Sequence, residues 1–344
     1  MATIEQQRVG SNGAPVWQLL VWLGSLKFTL VALLLLLAVV VRALTLADGF
    51  TWWVAPPLGV LALNLLAAIL VNPLFRRQLP LLLFHLSLLA LIVLVGVGRM
   101  IYLKGWAEVS EGAAFDGQLV KYEAGPWHSW ALDRVRFVNE RFTINYAPGP
   151  RRTTTLNRVR LFDEAGGSRV QVIGDDRPLI MRGYRFYTTF NKGYAPVFQW
   201  RPDAASSPVT GDVRLPPFPG EALRQHTSWN LPGLAEPVWV QLEFDEAILA
   251  EERASVFRPP ARHHLILRSG ERRFEMKPGD QVRLGEAGLL SYQGLRTWMG
   301  YNVAYDWTQP WLVAAVLLAV CSLAWHMWRK YRQRSWLSSA DNRG

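Results

Sequence analysis

The stretch LPLLLFHLSLLALIVLVGVGR, residues 79–99, decides the fold class of this chain. Its only ionisable side chain before Arg99 is His85. A helix of about 20 apolar residues can cross the roughly 30 Å hydrocarbon core of a membrane. We therefore predict a transmembrane helix at Leu79–Gly98.

Three further runs are apolar enough for the same interpretation. Phe28–Val41 is uncharged and reaches spanning length together with the Trp-containing lead Val16–Leu26, so we interpret it as a permanent anchor. Trp52–Val71 and Trp307–Trp328 complete a predicted set of four transmembrane helices. Asn64 lies in the second, and we expect its amide to face another helix, because lipid offers no hydrogen-bond partner.

The basic residues predict the orientation. The net charge is +10, and outside residues 103–308 the chain carries eleven basic and three acidic residues. This excess therefore flanks the apolar runs, where it contacts lipid headgroups, and it does not indicate nucleic-acid binding. Arg76, Arg77 and the basic tail share one side, which we expect to be cytoplasmic, and the loop with Asp48 lies on the other.

Residues between the third and fourth helices predict a β-rich domain. Arg134–Val138 and Val238–Phe244 alternate with period two, as strands do, and only Gly220–Gln225 and Asp245–Arg253 look helical. We expect an antiparallel domain, a sandwich, inserted on the extracytoplasmic side. The predicted organisation is a disordered N-terminus (1–15), a membrane bundle with helices 1–3 (16–102), the β-rich domain (103–306), helix 4 (307–328) and a cytoplasmic tail (329–344).

His85 is the main candidate for chemistry. It lies six residues past Leu79, roughly 9 Å along a helix axis. An ionisable group at this depth is costly and indicates function. We expect a neutral imidazole, which suits an axial ligand of haem iron, although one imidazole leaves the second axial position to another group. The alternative is a structural histidine that is hydrogen-bonded to a neighbouring helix.

The other histidines are weaker candidates. His326 adjoins Trp325 and is interpreted as an interfacial side chain. His263 and His264 are adjacent, so on a strand their rings point to opposite faces and cannot share a metal. His128 and His226 lie in Trp-bearing stretches that we interpret as loops, and neither is a strong candidate on its own. The single cysteine, Cys321, excludes an intrachain disulfide and is expected to be a buried packing residue.

No phosphate-binding glycine loop, nucleophile elbow, HExxH helix or paired-carboxylate signature is present. The lack of these motifs argues against a hydrolase or a nucleotide-driven pump.

The ordered motifs of the chain resemble the ResB (CcsB) family of cytochrome c biogenesis proteins. They run from Leu23 to Trp328. The pieces that carry the resemblance are LGSLK (23–27), FHL (84–86), GWAEVSEG (105–112), RPLIMRGYRFY (177–187) and YQGL (292–295) leading to Pro310.

The resemblance implies one half of the system II cytochrome c synthase in a bacterial inner membrane, with the β-rich domain in the periplasm. The implied partners are a CcsA/ResC-type membrane protein, which carries the tryptophan-rich haem-presenting segment absent here, and apocytochrome c. His85 matches the position of a haem ligand, with haem b as the cargo and the second histidine on the partner. No catalytic residue is implied, so the chain is interpreted as a non-catalytic subunit.

Two other functions remain open at this point. The chain could be a scaffold or assembly factor for cytochrome complexes, in which His85 is structural. A small-molecule transporter is the third alternative, but four spans around one large insertion lack the paired, interrupted repeats typical of transporters.

Overall fold

The computed structural model describes residues 14–45, 51–162, 166–202, 206–220, 225–285 and 287–341. The chain forms two compact units. One comprises the helices together with residues 123–129, and the other comprises residues 104–122 and 130–305. The predicted disorder at 1–15 and the loop with Asp48 lie mainly outside the described residues, as does most of the predicted helix at Gly220–Gln225.

The first unit is helical. Its helices are α1 (Ala14–Leu23), α2 (Leu26–Thr45), α3 (Ala55–Val71, preceded by a 3-10 turn at Thr51–Val54), α4 (Pro73–Arg77), α5 (Leu79–Ile101) and α6 (Gln309–Asp341). Within the described residues, four segments are long and apolar enough to cross a membrane: Leu26–Thr45, Thr51–Val71, Leu79–Ile101 and Gln309–Arg332. The four predicted apolar helices are thus confirmed as helices.

The Trp-containing lead is a helix of its own, because the chain turns at Gly24 and Ser25 between α1 and α2. A Cβ atom on Gly24 would lie 2.9 Å from the backbone nitrogen of Ala68, so only glycine permits this close approach to α3. Spanning length is reached by α2 alone, over 20 residues.

The prediction for Asn64 is confirmed. Its side chain is 3% exposed, its amide nitrogen donates to the carbonyl of Leu23, and its oxygen accepts from Thr29 Oγ1 at 2.9 Å. The amide of α3 therefore ties α3 to α1 and α2, and it replaces the water that lipid cannot supply. The expectation of a buried Cys321 is wrong, because this residue is exposed on α6.

Within this unit, α3 packs against α1, α2 and α5, and α5 packs against α3, α4 and α6. Two helices, α3 and α5, therefore carry most of the interhelical packing.

The chain between α5 and α6 is β-rich. Its strands in the described residues are β1 (Leu103–Ser110), β2 (Lys121–Ala124), β3 (Phe137–Tyr146), β4 (Arg152–Phe162), β5 (Ser168–Gly174), β6 (Leu179–Met181), β7 (Tyr184–Arg201), β8 (Val209–Asp212), β9 (His226–Trp229), β10 (Val238–Glu243), β11 (Ser255–Val256), β12 (His264–Ser269), β13 (Arg272–Met276), β14 (Gln281–Arg283) and β15 (Leu289–Tyr305).

Three sheets result, where a simple sandwich would have two. The largest has the order β2-β1-β15-β7-β6, with β14 added to β15 and β8 added to β7. The others have the orders β13-β12-β10-β9 and β11-β3-β4-β5. The long strands β7 and β15 pair antiparallel along nearly their whole length and form the spine of the domain.

The motif Arg177–Tyr187, one of the pieces that resemble the ResB family, folds as a β-hairpin. Met181 pairs with Tyr184, so Arg182 and Gly183 form a two-residue loop between β6 and β7. Both have positive φ angles, 51° and 84°, as a type I′ hairpin turn requires. This motif therefore mainly determines strands β6 and β7 and the turn that connects them.

The domain core combines aromatic packing with a buried polar network. Phe137 of β3, Phe186 of β7 and Tyr301 of β15 are fully buried and meet edge to face, with ring centroids 5.2 to 6.4 Å apart. Tyr301 donates its hydroxyl to Asn157 Oδ1 at 2.8 Å, and Asn157 Nδ2 donates to Asn139 Oδ1 at 2.7 Å. These three polar side chains satisfy one another where water is excluded.

Two local predictions need correction. The strand predicted at Arg134–Val138 begins only at Phe137, because Leu132–Arg134 forms a 3-10 turn. The strand predicted at Val238–Phe244 corresponds closely to β10. Asp245–Arg253 is not helical. Glu246 there binds Arg258 and accepts the backbone N–H of Ala261, so side-chain bonds to a distant segment override the helical pattern.

Candidate functional site

His85 lies on the second turn of α5, and its own helix fixes its tautomer. Nδ1 is 2.8 Å from the carbonyl oxygen of Leu81, one turn earlier. A carbonyl oxygen only accepts, so the proton of a neutral imidazole resides on Nδ1. The lone pair of Nε2 is consequently left for another partner.

Two aromatic rings hold the imidazole in place. The centroid of Phe75, on α4, is 4.4 Å from that of His85, and Phe84 meets it edge-on at 5.3 Å. The side chain is half-buried, and Nε2 makes no hydrogen bond within the part of the chain that the structure describes. Ring orientation is thus restrained from two sides while the coordinating atom keeps its lone pair.

This arrangement matches what an axial ligand of haem iron requires. Ligating histidines donate their other ring N–H to a carbonyl or carboxylate, which orients the ring and raises its basicity. His85 and Leu81 provide this pair. No group of three His, Cys, Asp or Glu residues that could hold a metal ion occurs among the described residues.

The remaining histidines have other surroundings. His263 donates from Nδ1 to the carbonyl of Pro260 and accepts the Tyr292 hydroxyl at Nε2, 2.8 Å away. His264 instead faces Glu243, with 3.2 Å between Nε2 and Oε2. The adjacent pair therefore engages separate partners. His326 lies within α6, and no hydrogen bond or ring contact between it and His85 is found in the described residues.

His226 and His128 complete the set. The loop predicted at His226 is wrong, because His226 begins strand β9, where its ring lies 5.5 Å from that of Trp239. His128 is buried, with Nδ1 2.8 Å from the carbonyl of Ile101, and burial lowers the pKa of its imidazole. The carbonyl at the last residue of α5 is therefore satisfied by a side chain from a later part of the sequence.

Residues 123–129 form a clamp at the end of α5, which sequence reasoning did not predict. Gly125 N–H donates to the carbonyl of Tyr102, and Trp127 N–H donates to that of Met100. A Cβ atom on Gly125 would lie 2.2 Å from the Met100 oxygen, so this approach requires glycine. The only signal in the sequence is a glycine among aromatic residues, which is too common to indicate a return to the helix.

Glu123 anchors this clamp. Thr51 Oγ1 donates to Glu123 Oε1 at 2.6 Å, and the hydroxyl of Tyr102 donates to the same oxygen. Burial of Glu123 raises the pKa of its carboxyl, because it disfavours the charged form. The hydrogen bonds from Thr51 and Tyr102 lower this pKa by more, so the net pKa lies below the usual value. Burial raises the pKa of Tyr102, so this hydroxyl stays protonated and continues to donate.

We expect Glu123→Gln to lower thermal stability in a pH-dependent way. A carboxyl whose pKa is lower in the folded state stabilises the fold above its ordinary pKa of 4.5, and this stabilisation is lost as pH falls through the lower folded-state pKa. The difference in melting temperature between wild type and Glu123→Gln should therefore shrink from pH 7 to pH 4. Differential scanning fluorimetry in detergent measures it. Glu251→Gln, at an exposed carboxylate, is the control, and equal profiles for both variants would contradict the assignment.

By its four apolar helices and its large β-rich insertion, the chain is a membrane protein. It belongs to the ResB-like family, whose family model matches residues 75–344. This confirms the resemblance found in the sequence motifs, and the family is associated with cytochrome c biogenesis. The matched region begins at α4 and includes His85, the β-rich domain and α6. A comparison with curated proteins gave no match.

Proposed function

We propose that this chain is the haem-handling subunit of a system II cytochrome c synthase and acts with a CcsA/ResC-type membrane protein. The observation that carries the proposal is the geometry of His85. Its Nδ1–H is committed to the Leu81 carbonyl and its Nε2 has no hydrogen-bond partner among the described residues. An uncommitted imidazole nitrogen in an apolar helix suits iron far better than it suits lipid.

The proposed ligand set is shared between two chains. His85 supplies one axial position of haem b, and a histidine of the partner supplies the other. Phe75 and Phe84 keep the imidazole from rotating, so the nitrogen is oriented before haem arrives. In this role the chain binds and positions haem, and it does not itself provide a nucleophile.

The β-rich domain would position apocytochrome c. Attachment adds each cysteine S–H of the apoprotein across a haem vinyl group, so that one C–S and one C–H bond form and no group leaves. When the haem vinyl group and the cysteine thiol are held next to each other, a bimolecular reaction becomes effectively intramolecular. The long antiparallel β7–β15 pair is suited to such positioning.

Co-expression tests this function. We expect the purified chain alone to bind haem weakly, because it supplies one axial ligand, and we expect co-expression with a CcsA/ResC-type protein to yield a low-spin haem complex. Visible spectra of both preparations measure this. Strong bis-histidine haem in the isolated chain would contradict the shared ligand set and direct attention to His326. A complex that assembles cytochrome c without haem in this chain would favour the scaffold function.

For orientation, we propose that both termini are cytoplasmic and that the β-rich domain is periplasmic. The loop with Arg77 and the tail beginning at Arg329 share one side of any four-span arrangement, and short basic segments are retained in the cytoplasm. Reporter fusions at Gly167 and after Trp336 should show opposite compartments. Activity of both fusions in the same compartment would refute four spans.

A further inference from the structure

The clamp of residues 123–129 has a polar side that bonds to the rest of its unit. The carboxylate of Glu123 accepts two hydrogen bonds there, and buried His128 places Nδ1 2.8 Å from the carbonyl oxygen of Ile101. Trp127 differs, because its side chain is 65% exposed. The clamp is therefore amphipathic, and its tryptophan is the large apolar group that the described residues leave mostly uncovered.

The backbone of Trp127 fixes its level along α5. Its N–H donates to the carbonyl of Met100 at 2.8 Å, and α5 ends one residue later, at Ile101. The 23 residues of α5 rise about 34 Å, slightly more than the roughly 30 Å of a hydrocarbon core. The last turn of this helix, and with it Trp127, therefore lies where hydrocarbon gives way to lipid headgroups.

Other tryptophans mark the same level. Trp52, in the turn before α3, lines one cavity together with Met100 and Trp127. Trp53 is exposed and stacks on Trp52, with ring centroids 4.8 Å apart. Indole rings are enriched at membrane–water interfaces, because they combine a large apolar body with an N–H that hydrogen-bonds to headgroups. Trp127 thus joins an aromatic group at one interface, although it lies outside the four apolar helices.

Beside the clamp, Arg99 provides a cation for a lipid phosphate. It lies in the last turn of α5 and is exposed, with its guanidinium 5.8 Å from the ring centroid of Tyr102. It forms no ion pair shorter than 4.0 Å with any residue that the structure describes. A Cβ atom on Gly125 would lie 2.6 Å from the Arg99 carbonyl oxygen, so the clamp passes directly over this turn. Guanidinium binds phosphate well, and a phospholipid headgroup carries one.

We infer that the clamp is a membrane-interface anchor: the Trp127 indole lies among phospholipid headgroups at the end of α5, and Arg99 binds a headgroup phosphate beside it. The bilayer thereby becomes a second support for the clamp, in addition to the backbone hydrogen bonds to Tyr102 and Met100. The inference requires only that the chain is a membrane protein. It therefore stands or falls independently of the role of His85.

Spin-label depth measurements test the inference. In a Cys321→Ser background, a nitroxide on Pro126→Cys keeps Trp127 in place and reports the depth of the clamp in nanodiscs of phosphatidylcholine and phosphatidylglycerol. Oxygen concentrates in the bilayer, whereas a nickel chelate stays in water. We expect collision rates with both to match those of a label on Trp53→Cys. A label on Glu251→Cys, exposed in the β-rich domain, is the water reference, and a clamp label that matches it would overturn the inference.

Substitution of the ring tests the anchor itself. Trp127→Ala removes the indole, so the nickel collision rate at the Pro126→Cys label should rise at least about twofold as the clamp leaves the interface. Trp127→Tyr keeps an amphipathic ring and should leave the rate nearly unchanged. Packing within the chain would not produce this difference, because the ring is mostly exposed. Equal rates in wild type and Trp127→Ala would overturn the inference.

A photo-cross-link identifies what the ring touches. With p-benzoylphenylalanine in place of Trp127, irradiation in the same nanodiscs should yield phospholipid adducts, which mass spectrometry detects. Arg99→Gln should lower the share of phosphatidylglycerol among them, because a neutral side chain has no preference for an anionic headgroup. An unchanged share would overturn the phosphate site at Arg99. Irradiation in cells that gives adducts with another protein and none with lipid would overturn the anchor.

Discussion

His85→Ala should reduce the Soret absorbance of the co-expressed complex to less than about a tenth of the wild-type value. The variant removes one of two axial ligands and leaves a gap of imidazole size beside Phe75 and Phe84. Cytochrome c assembly should fall with it. Exogenous imidazole should enter this gap and restore both the spectrum and part of the assembly, because it supplies the same donor atom.

The controls separate ligation from packing. His326→Ala removes another histidine from an apolar helix and should leave the spectrum unchanged. His85→Asn keeps a hydrogen-bonding group but offers iron no comparable ligand, so it should resemble His85→Ala. A His85→Asn protein that assembles cytochrome c without added imidazole would refute the ligand assignment, while fold and family membership would stand.

Asn157→Ala should destabilise the β-rich domain strongly. The substitution leaves the Tyr301 hydroxyl and Asn139 Oδ1 without their hydrogen-bond partner in a fully buried site. Each such unsatisfied group costs about 1–3 kcal/mol of folding free energy. We expect a loss of about 2–5 kcal/mol, which lowers the melting temperature on the order of 10 °C in a domain of this size. Thermal unfolding followed by circular dichroism near 215 nm measures it.

A partly exposed asparagine provides the matched control. Asn145 lies on β3, as Asn139 does, and donates to Thr154 Oγ1 at 2.9 Å, but water can replace that bond. Asn145→Ala should change stability by less than about 1 kcal/mol. Equal effects of the two variants would show that the buried network contributes nothing beyond ordinary polar contacts.

Patterns over short stretches of sequence predict the apolar helices, one strand and the position of His85. The length of an apolar run determines whether a helix can span a membrane, and this length is read from consecutive residues. The same holds for the strand at Val238–Glu243 and for His85, whose position in an apolar run is visible in the sequence. The bond from His85 to Leu81 is also local, since a helix brings residues four apart onto one face.

Local pattern failed where distant residues decide the structure. The apolar spacing of Asp245–Arg253 resembles a helix, but Glu246 is held by Arg258 and by the backbone of Ala261. Cys321 lies in an apolar run, which predicts burial, but the residue is exposed on α6. Hydropathy reports that a residue is in the membrane and does not report whether it faces protein or lipid.

The sequence by itself determined four apolar helices, a β-rich insertion and a histidine near one end of the third helix. Only the tertiary structure decided that residues 123–129 return to the end of α5 and that Asn139, Asn157 and Tyr301 meet in one network. The reason is physical. Periodicity fixes which face of an element is apolar, whereas the partner of that face depends on contacts between residues far apart in the chain.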